Sequence, residues 1–454
     1  MRQEAPRRSR SAAPVGDKAE GTILSLKEKG FALLCGIWIG VSFLKFGNPI
    51  ILDHKIEAPK SIEEFLFTAW PLAWGYFVLL FVVLAGCSAA KPRFGKEHWP
   101  IGFFVIWLFW QFLSSARSIE PSLSNPAVLH FVSCAASFLL GWWALARVRL
   151  SGWLWTPILL GFFYVLFTGF DQHAGGLEAT RKEFYAQTNW ELYPKEYLLR
   201  IESNRIFGTL VYANALAGLI LLLLPAVLAH AWQLLGRGPR VLRGTVVGLF
   251  LYLGLACLYW TGSKGGWLIA VIVLGVAAVQ LTMPRRLKIA LVSAGVVLGL
   301  GAFFLRFNSY FQKGATSVSA RFIYWTGAVQ ITRSHPFLGS GPGTFPVLFK
   351  KLKPPDAEMA KLVHNDYLQQ ASDSGLPGGI AFAVGMIGSL IKLYRYSRKV
   401  NATNFAVWLG FLGWSLQAFI EFALYIPALA WPAALLAGSL WGAFDEKIRT
   451  AGTR

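Results

Sequence analysis

Long apolar runs separated by short charged clusters constrain this chain more than any other feature, because so many of them cannot be buried in one water-soluble core. Of 454 residues, 55% are hydrophobic and 15% charged, and the charges gather between the runs. A hydrocarbon layer of ~30 Å is crossed by ~20 apolar residues in helical form, since a helix satisfies its own backbone in lipid. About twelve runs meet this description: 30–47, 66–87, 99–114, 127–146, 152–170, 207–234, 242–260, 265–283, 287–305, 377–394, 405–424 and 427–443. The expected fold class is an all-α polytopic membrane protein with about 12 transmembrane helices.

Basic clusters orient these helices. Arg2, Arg7, Arg8 and Arg10 precede the first run, and Lys91/Arg93/Lys96, Arg147/Arg149, Arg237/Arg240/Arg243, Arg285/Arg286/Lys288, Lys392/Arg395/Arg398/Lys399 and Lys447/Arg449 follow at alternate connections. The connections between them are longer or acidic, as at 48–65 with Asp53, Glu57, Glu63 and Glu64. Cytoplasmic loops retain positive charge. Both termini are therefore expected in the cytoplasm, and the two large loops, 171–206 and 306–376, in the periplasm. Residues 1–29 read as a disordered basic tail, 30–443 as the integral membrane domain and 444–454 as a second cytoplasmic tail. The net charge of +20 then reports topology and not nucleic-acid binding. Cys35, Cys87, Cys134 and Cys257 lie in or beside the runs without CxxC spacing, which indicates neither disulfides nor a zinc site.

Apart from members of the basic clusters at their ends, ionisable residues within the runs are few: Lys45, His130, His230 and Glu421. Without a matched pair of broken helices, an ion-coupled transporter has little footing. Lys45 is expected to snorkel to the interface. Polar chemistry collects instead at the outer ends of the runs. Three cations stand there, each near small residues: Arg205 in NRIFGTLVYAN, Lys264 in TGSKGGW and Arg321 in ARFIYW, with GSGPGTF (Gly339, Gly341, Gly343) following the third. Glycines open the backbone to a bulky anion and interfacial cations attract phosphate, a pattern that suits a lipid-linked diphosphate. Each cation alone also suits a headgroup anchor. GSGPGTF also suits a plain Gly-Pro loop, and it lacks the Lys-Ser/Thr ending of a P-loop.

His364 is the best candidate for proton chemistry. VHNDYLQQASDSG reads as a helix capped by Asn365 or Asp366 and ended by Gly375, which places His364 just ahead of a helix N-terminus. An imidazole there can take a proton from a hydroxyl; a solvated loop histidine is the plain alternative. His335 and His173 are weaker candidates. Asp366 and Asp373 are seven residues apart and read as capping and orienting groups. No DxD or HExxH occurs, so neither a metal nor another cofactor is expected.

Taken in order, Arg205 with Gly208, Thr209 and Asn214, the Ser263-Lys264-Gly265 turn, Arg321 with Trp325, HPFLGSGPGTF from His335 to Phe345, His364-Asn365 and Ser374 to Gly378 form a recognisable series. It resembles the O-antigen ligase and polymerase superfamily, the WaaL/Wzy-like integral membrane glycosyltransferases, over about residues 200–430. The resemblance implies a GT-C-like membrane fold in the bacterial inner membrane and metal-independent transfer of a glycan from undecaprenyl diphosphate to an acceptor at the periplasmic face. The acceptor is lipid A core for a ligase, a growing glycan for a Wzy-type polymerase, or a protein hydroxyl. It also implies that His364 is the functional loop histidine and that Arg205 and Lys264 hold the diphosphate; by its own setting, Arg321 is expected to join them. Asn365, Asp366 and the three loop glycines play supporting parts. The departure is Lys264, where the family pattern has Arg; a point charge replaces a bidentate fork. A ligase-like enzyme is the preferred reading, a polymerase the alternative, and a membrane transporter the third.

Overall fold

The structure, a computed structural model, describes residues 25–90, 99–146, 152–186, 188, 190–192, 198, 201–236, 238–280, 282–312, 316–400 and 402–452. The tail arginines, Lys91/Arg93/Lys96, Arg147/Arg149 and Arg237 lie outside the described residues. Among the described residues there is no strand. The helices are α1 (Leu26–Lys45), α2 (Leu72–Ala89), α3 (Trp99–Ser115), α4 (Pro121–Leu140), α5 (Gly152–Asp171), α6 (Leu177–Tyr185), α7 (Ala213–Leu234), α8 (Arg240–Trp260) and α9 (Lys264–Val279). They continue with α10 (Arg285–Gln312), α11 (Thr316–Ser334), α12 (Phe345–Leu352), α13 (Asp366–Val400), α14 (Ala402–Gln417) and α15 (Pro427–Gly452), besides short helical turns such as Ile62–Phe67. Among the described residues eight helices are long and apolar enough to cross a membrane, with α3 and α9 as shorter apolar helices. The chain is an all-helical polytopic membrane protein.

Burial sorts these helices into layers. Helices α7 and α15 are 78% and 83% buried over their apolar windows, whereas α10 is 6% buried; the first two form the centre and α10 the rim. The main helix pairs are α3 with α13, α7 with α14, α1 with α5 and α4 with α15. In lipid, water gives helices no reason to associate, so small residues that admit close backbones become the contact points. Gly410 of α14 faces the Leu222 carbonyl of α7 with no room for a Cβ. Buried polar side chains join α3 to the start of α13. Trp107 Nε1 donates to Gln370 Oε1 (2.7 Å), Ser374 Oγ to Gln111 Oε1 (2.7 Å), and Ser114 Oγ to the Asp373 carbonyl (2.9 Å).

Several sequence expectations change here. Residues 25–29 do not belong to a disordered tail, because Ser25 and Glu28 form a reciprocal capping box that starts α1. At the other end, α15 runs on to Gly452, so 444–452 continue the last helix. The loops 171–206 and 306–376 hold α6, the end of α10, α11 and α12. Lys45 reaches past the end of α1: its Nζ donates to the carbonyls of Phe65 (2.8 Å), Leu66 (2.6 Å) and Thr68 (3.1 Å), the open end of the Ile62–Phe67 turn.

Three apolar runs are not continuous helices: 66–87, where α2 starts only at Leu72, and two that position the site. Within the run 207–234, Gly208 and Val211 adopt φ of 57° and 58°, and α7 starts only at Ala213. Within 405–424, α14 stops at Gln417. The next stretch is held by the start of α13: Asp366 N donates to the Ala418 carbonyl (2.7 Å), and Leu424 N donates to Asp366 Oδ2 (2.8 Å). Irregular backbone at membrane depth persists where protein groups replace the lost helical partners.

Candidate active site

The two interrupted runs, the start of α9, α11 and the turn before α13 converge at one end of the bundle. Glu421, in the stretch after α14, is the centre. Its side chain is 7% exposed, and it accepts from four groups. Arg321 Nη2 and Asn214 Nδ2 (2.6 Å) donate to Oε1, while Tyr212 OH (3.0 Å) and His364 Nδ1 (3.1 Å) donate to Oε2. Four donors on its two oxygens, one of them the Arg321 guanidinium, favour the ionised carboxylate.

The contact with Glu421 decides the histidine tautomer. A carboxylate only accepts, so Nδ1 carries the hydrogen and the neutral ring keeps its lone pair on Nε2. Among the described residues Nε2 has no hydrogen-bond partner, and the side chain is 23% exposed. The backbone of His364 is left-handed, with φ of 54°, a conformation that costs a bulky residue roughly 1–2 kcal/mol. Its neighbours impose it. Val363 N donates to Gln369 Oε1 (2.7 Å) on one side and Asp366 N to Ala418 O on the other. Asn365 is the N-cap, accepting from Leu368 N (3.0 Å). The ring lies between Tyr324, 5.7 Å away, and Phe422, edge-on at 4.8 Å.

The cations surround this carboxylate. Arg321 also donates from Nε to Ile420 O (3.1 Å). Arg205 donates from Nε to Thr261 O (2.6 Å) and from Nη2 to Asn214 Oδ1 (2.6 Å), so it is tied to Glu421 through the asparagine. Lys264 is the first residue of α9, behind Ser263, whose Oγ caps Gly266 N. Its Nζ rests over the rings of Tyr310 (3.8 Å) and Phe307 (5.2 Å) and has no anionic partner among the described residues. Arg205, Arg306 and Arg321 all press on it electrostatically. Four cations thus gather near one acid, a surplus of the kind that attracts an anion in a poorly hydrated setting.

The glycine loop lies elsewhere. Ser340, Thr344 and Phe345 are fully buried, and the loop packs on the end of the first segment of α13, which breaks at Gly375 (φ 73°, ψ 176°). Gly341 N donates to Asp373 O (2.8 Å), and Gly343 N to Asp373 Oδ2 (2.7 Å), an oxygen that also accepts from Gln369 Nε2 (2.8 Å) and Tyr425 OH (3.0 Å). The expectation that Gly339, Gly341 and Gly343 open the backbone to an anion gives way: the amides of Gly341 and Gly343 are spent on Asp373. Gly339, at φ 66°, has the Asp373 backbone where a Cβ would sit. Gly339→Ala is therefore expected to lower stability by roughly 2–5 kcal/mol from left-handed strain plus overpacking, read as a fall in Tm of the detergent-solubilised protein. Asp373 reaches His364 only through Gln369, whose Oε1 holds Val363 N.

Of the sequence candidates, then, His364, Arg205, Lys264 and Arg321 share one site. Asn365 and Asp366 build the turn that presents His364, and the glycines brace the helix behind it. Glu421 and Tyr212 were not singled out as site residues. The signal for Glu421 was present, because an acid inside an apolar run marks function by default; Tyr212 carried no signal. His173 stacks on Trp260 at 3.9 Å, and the His335 carbonyl accepts from Gly339 N (3.0 Å); among the described residues neither bonds to Glu421. Among the described residues no three His, Cys, Asp or Glu side chains converge in metal-ligand fashion.

Residues 249–383 match the family model described as O-antigen ligase. The matched stretch holds Lys264, Arg321, the glycine loop, His364, Asn365 and Asp366, while Arg205, Tyr212, Asn214 and Glu421 flank it. The match supports the O-antigen ligase/polymerase superfamily. No curated protein matches the chain.

Proposed function

We propose that this chain, as a member of the O-antigen ligase/polymerase superfamily, is a bacterial inner-membrane ligase that moves a glycan from undecaprenyl diphosphate to an acceptor hydroxyl, lipid A core or similar, at the periplasmic face. The observation that carries this reading is the pairing of a histidine whose Nε2 is open with a surplus of cations around its partner acid. The acceptor hydroxyl gives its proton to His364 Nε2 as its oxygen attacks the anomeric carbon. The bond from that carbon to the diphosphate breaks, and the charge that builds on the leaving oxygen faces Arg205, Lys264 and Arg321. Glu421 holds the ring in the required tautomer and offsets the imidazolium as it forms, the part an acid plays behind a catalytic histidine. A single displacement of this kind inverts the anomeric centre.

The test is the surface glycan of a strain lacking this gene, with carrier-linked and acceptor-linked material separated. Full-length glycan stranded on the carrier is the expected result, and the acceptor left bare identifies the branch. Single repeat units in place of long chains would mean a polymerase. An unchanged pattern would overturn glycan transfer and return the transporter reading.

Lys264 offers a gentler probe. Lys264→Arg keeps the charge and can still lie over Tyr310, so transfer is expected to stay within a few-fold of the parent. Lys264→Ala is expected to lower it by about 10²-fold, the scale of one lost oxyanion donor. A carrier-linked donor assay reads both, and equal losses would mean that the site recognises shape and not charge.

A further inference from the structure

Of the four cations near Glu421, Lys264, Arg306 and Arg321 ride on helices, and Arg205 does not. It stands on irregular backbone ahead of α7, yet its side chain meets Thr261 O and Asn214 Oδ1 at once, both at 2.6 Å. It also passes so close to Gly262 that a Cβ there would lie 3.3 Å from its Nε. Backbone without helical hydrogen bonds can aim a side chain in this way only where other groups hold its peptides.

Two side chains do so, one on each side of Arg205. Before it, Arg181 Nε donates to the Ile201 carbonyl (2.9 Å), and Nη2 donates to the carbonyls of Glu202 (3.1 Å) and Ser203 (3.0 Å) and to Asn204 Oδ1 (2.6 Å). A planar fork serves several acceptors from fixed directions, which an ammonium cannot. After it, Gln172 Oε1 accepts from Phe207 N (3.0 Å) and Gly208 N (2.8 Å), while Nε2 donates to the Gly208 carbonyl (3.0 Å). A primary amide both accepts and donates, as a peptide group does, and so replaces the lost backbone partners. Thr209 Oγ1 then donates to Phe43 O of α1 (2.8 Å).

Both clamps belong to one strut. Gln172 directly follows α5 and Arg181 lies in α6, with Gly175 at φ 134° bending the chain between them. The strut is anchored because α5 packs on α1, α7 and α8. Arg181 is occupied by its own contacts: Nη1 pairs with Glu178 Oε2 at 3.1 Å, and the side chain is 19% exposed.

We propose that Gln172 and Arg181 are positioning residues for Arg205, fixing the peptides on either side of it and so setting where its guanidinium meets an anion. This rests on the reading of Arg205, Lys264 and Arg321 as a diphosphate site. It adds that the affinity of that site is set partly by the α5–α6 strut, through one cation. Loosening either clamp frees Arg205 and leaves Lys264 and Arg321 in place on α9 and α11.

The probe is inorganic pyrophosphate, titrated calorimetrically into the detergent-solubilised full-length protein, with Tm read on each sample. Gln172→Leu and Arg181→Leu are each expected to weaken binding about fivefold. In an Arg205→Ala background the same changes are expected to add less than about twofold, whereas in a Lys264→Ala background the full factor returns. A merely structural clamp would move all backgrounds alike. Equal weakening with and without Arg205, unchanged affinity in either single variant at the parent Tm, or a parent that binds no pyrophosphate overturns the proposal. Where Arg181→Leu does not fold, Arg181→Lys and Asn204→Ala take smaller parts of the same clamp through the same cycle. Glycan transfer by the parent is scored separately. The expected coupling without transfer from a carrier-linked donor leaves the positioning in place and overturns the glycosyltransferase reading, and transfer without the coupling does the reverse.

Discussion

Replacing His364 by Asn is expected to lower glycan transfer by about 10²–10⁴-fold, the usual worth of a positioned general base, while leaving the protein folded. Asn is the informative choice because His364 holds φ at 54°, and Asn tolerates that region better than most residues. The turn is in any case held from both sides, by Val363 N on Gln369 and Asp366 N on Ala418. His364→Ala removes the same base and should lose the same activity. Transfer by purified protein from a carrier-linked donor, with Tm measured on the same sample, separates chemistry from folding. Near-normal transfer by either variant would remove His364 from the reaction and leave the cation cluster as a binding site alone.

Glu421→Gln carries the second large expectation. Four donors converge on the carboxylate, two per oxygen. An amide offers one acceptor oxygen and puts an NH₂ where the other stood, so it faces either His364 Nδ1 and Tyr212 or Arg321 and Asn214. In the first case the histidine loses its tautomer; in the second Arg321 loses its counter-charge. Transfer is expected to fall roughly 10²–10⁴-fold, as when the acid behind a catalytic histidine is neutralised. Stability is expected to fall by about 2–4 kcal/mol, less than for a fully buried pair because Arg321 keeps 20% of its side-chain surface.

Much of the molecule was legible because lipid imposes a simple rule on sequence. Each apolar run from 30–47 to 427–443 has a helix at its centre, since a backbone in hydrocarbon has no other local solution. The helix from Asp366 to Gly375 and its cap at Asn365 were legible from cap chemistry, as was the break at Gly375 from glycine's freedom at positive φ. The misreadings fall where a distant segment supplies the hydrogen bonds. The runs 207–234 and 405–424 look like uninterrupted helices, yet both unwind where Arg205, Tyr212 and Glu421 are presented. GSGPGTF looked open to an anion, yet its amides are taken by Asp373, thirty residues away.

The sequence by itself determined the helical membrane class and the apolar runs, and it offered His364, Arg205, Lys264 and Arg321 as candidates. Those follow from local composition and from the cost of placing charge in lipid. Only the tertiary structure decided that Glu421 stands among His364, Arg321, Tyr212 and Asn214, that His364 presents Nε2, and that the amides of Gly341 and Gly343 go to Asp373. Each of these depends on which hydrogen-bond partner, far off in the chain, reaches a buried polar group first, and burial makes that choice binding because an unpartnered group is too costly to keep.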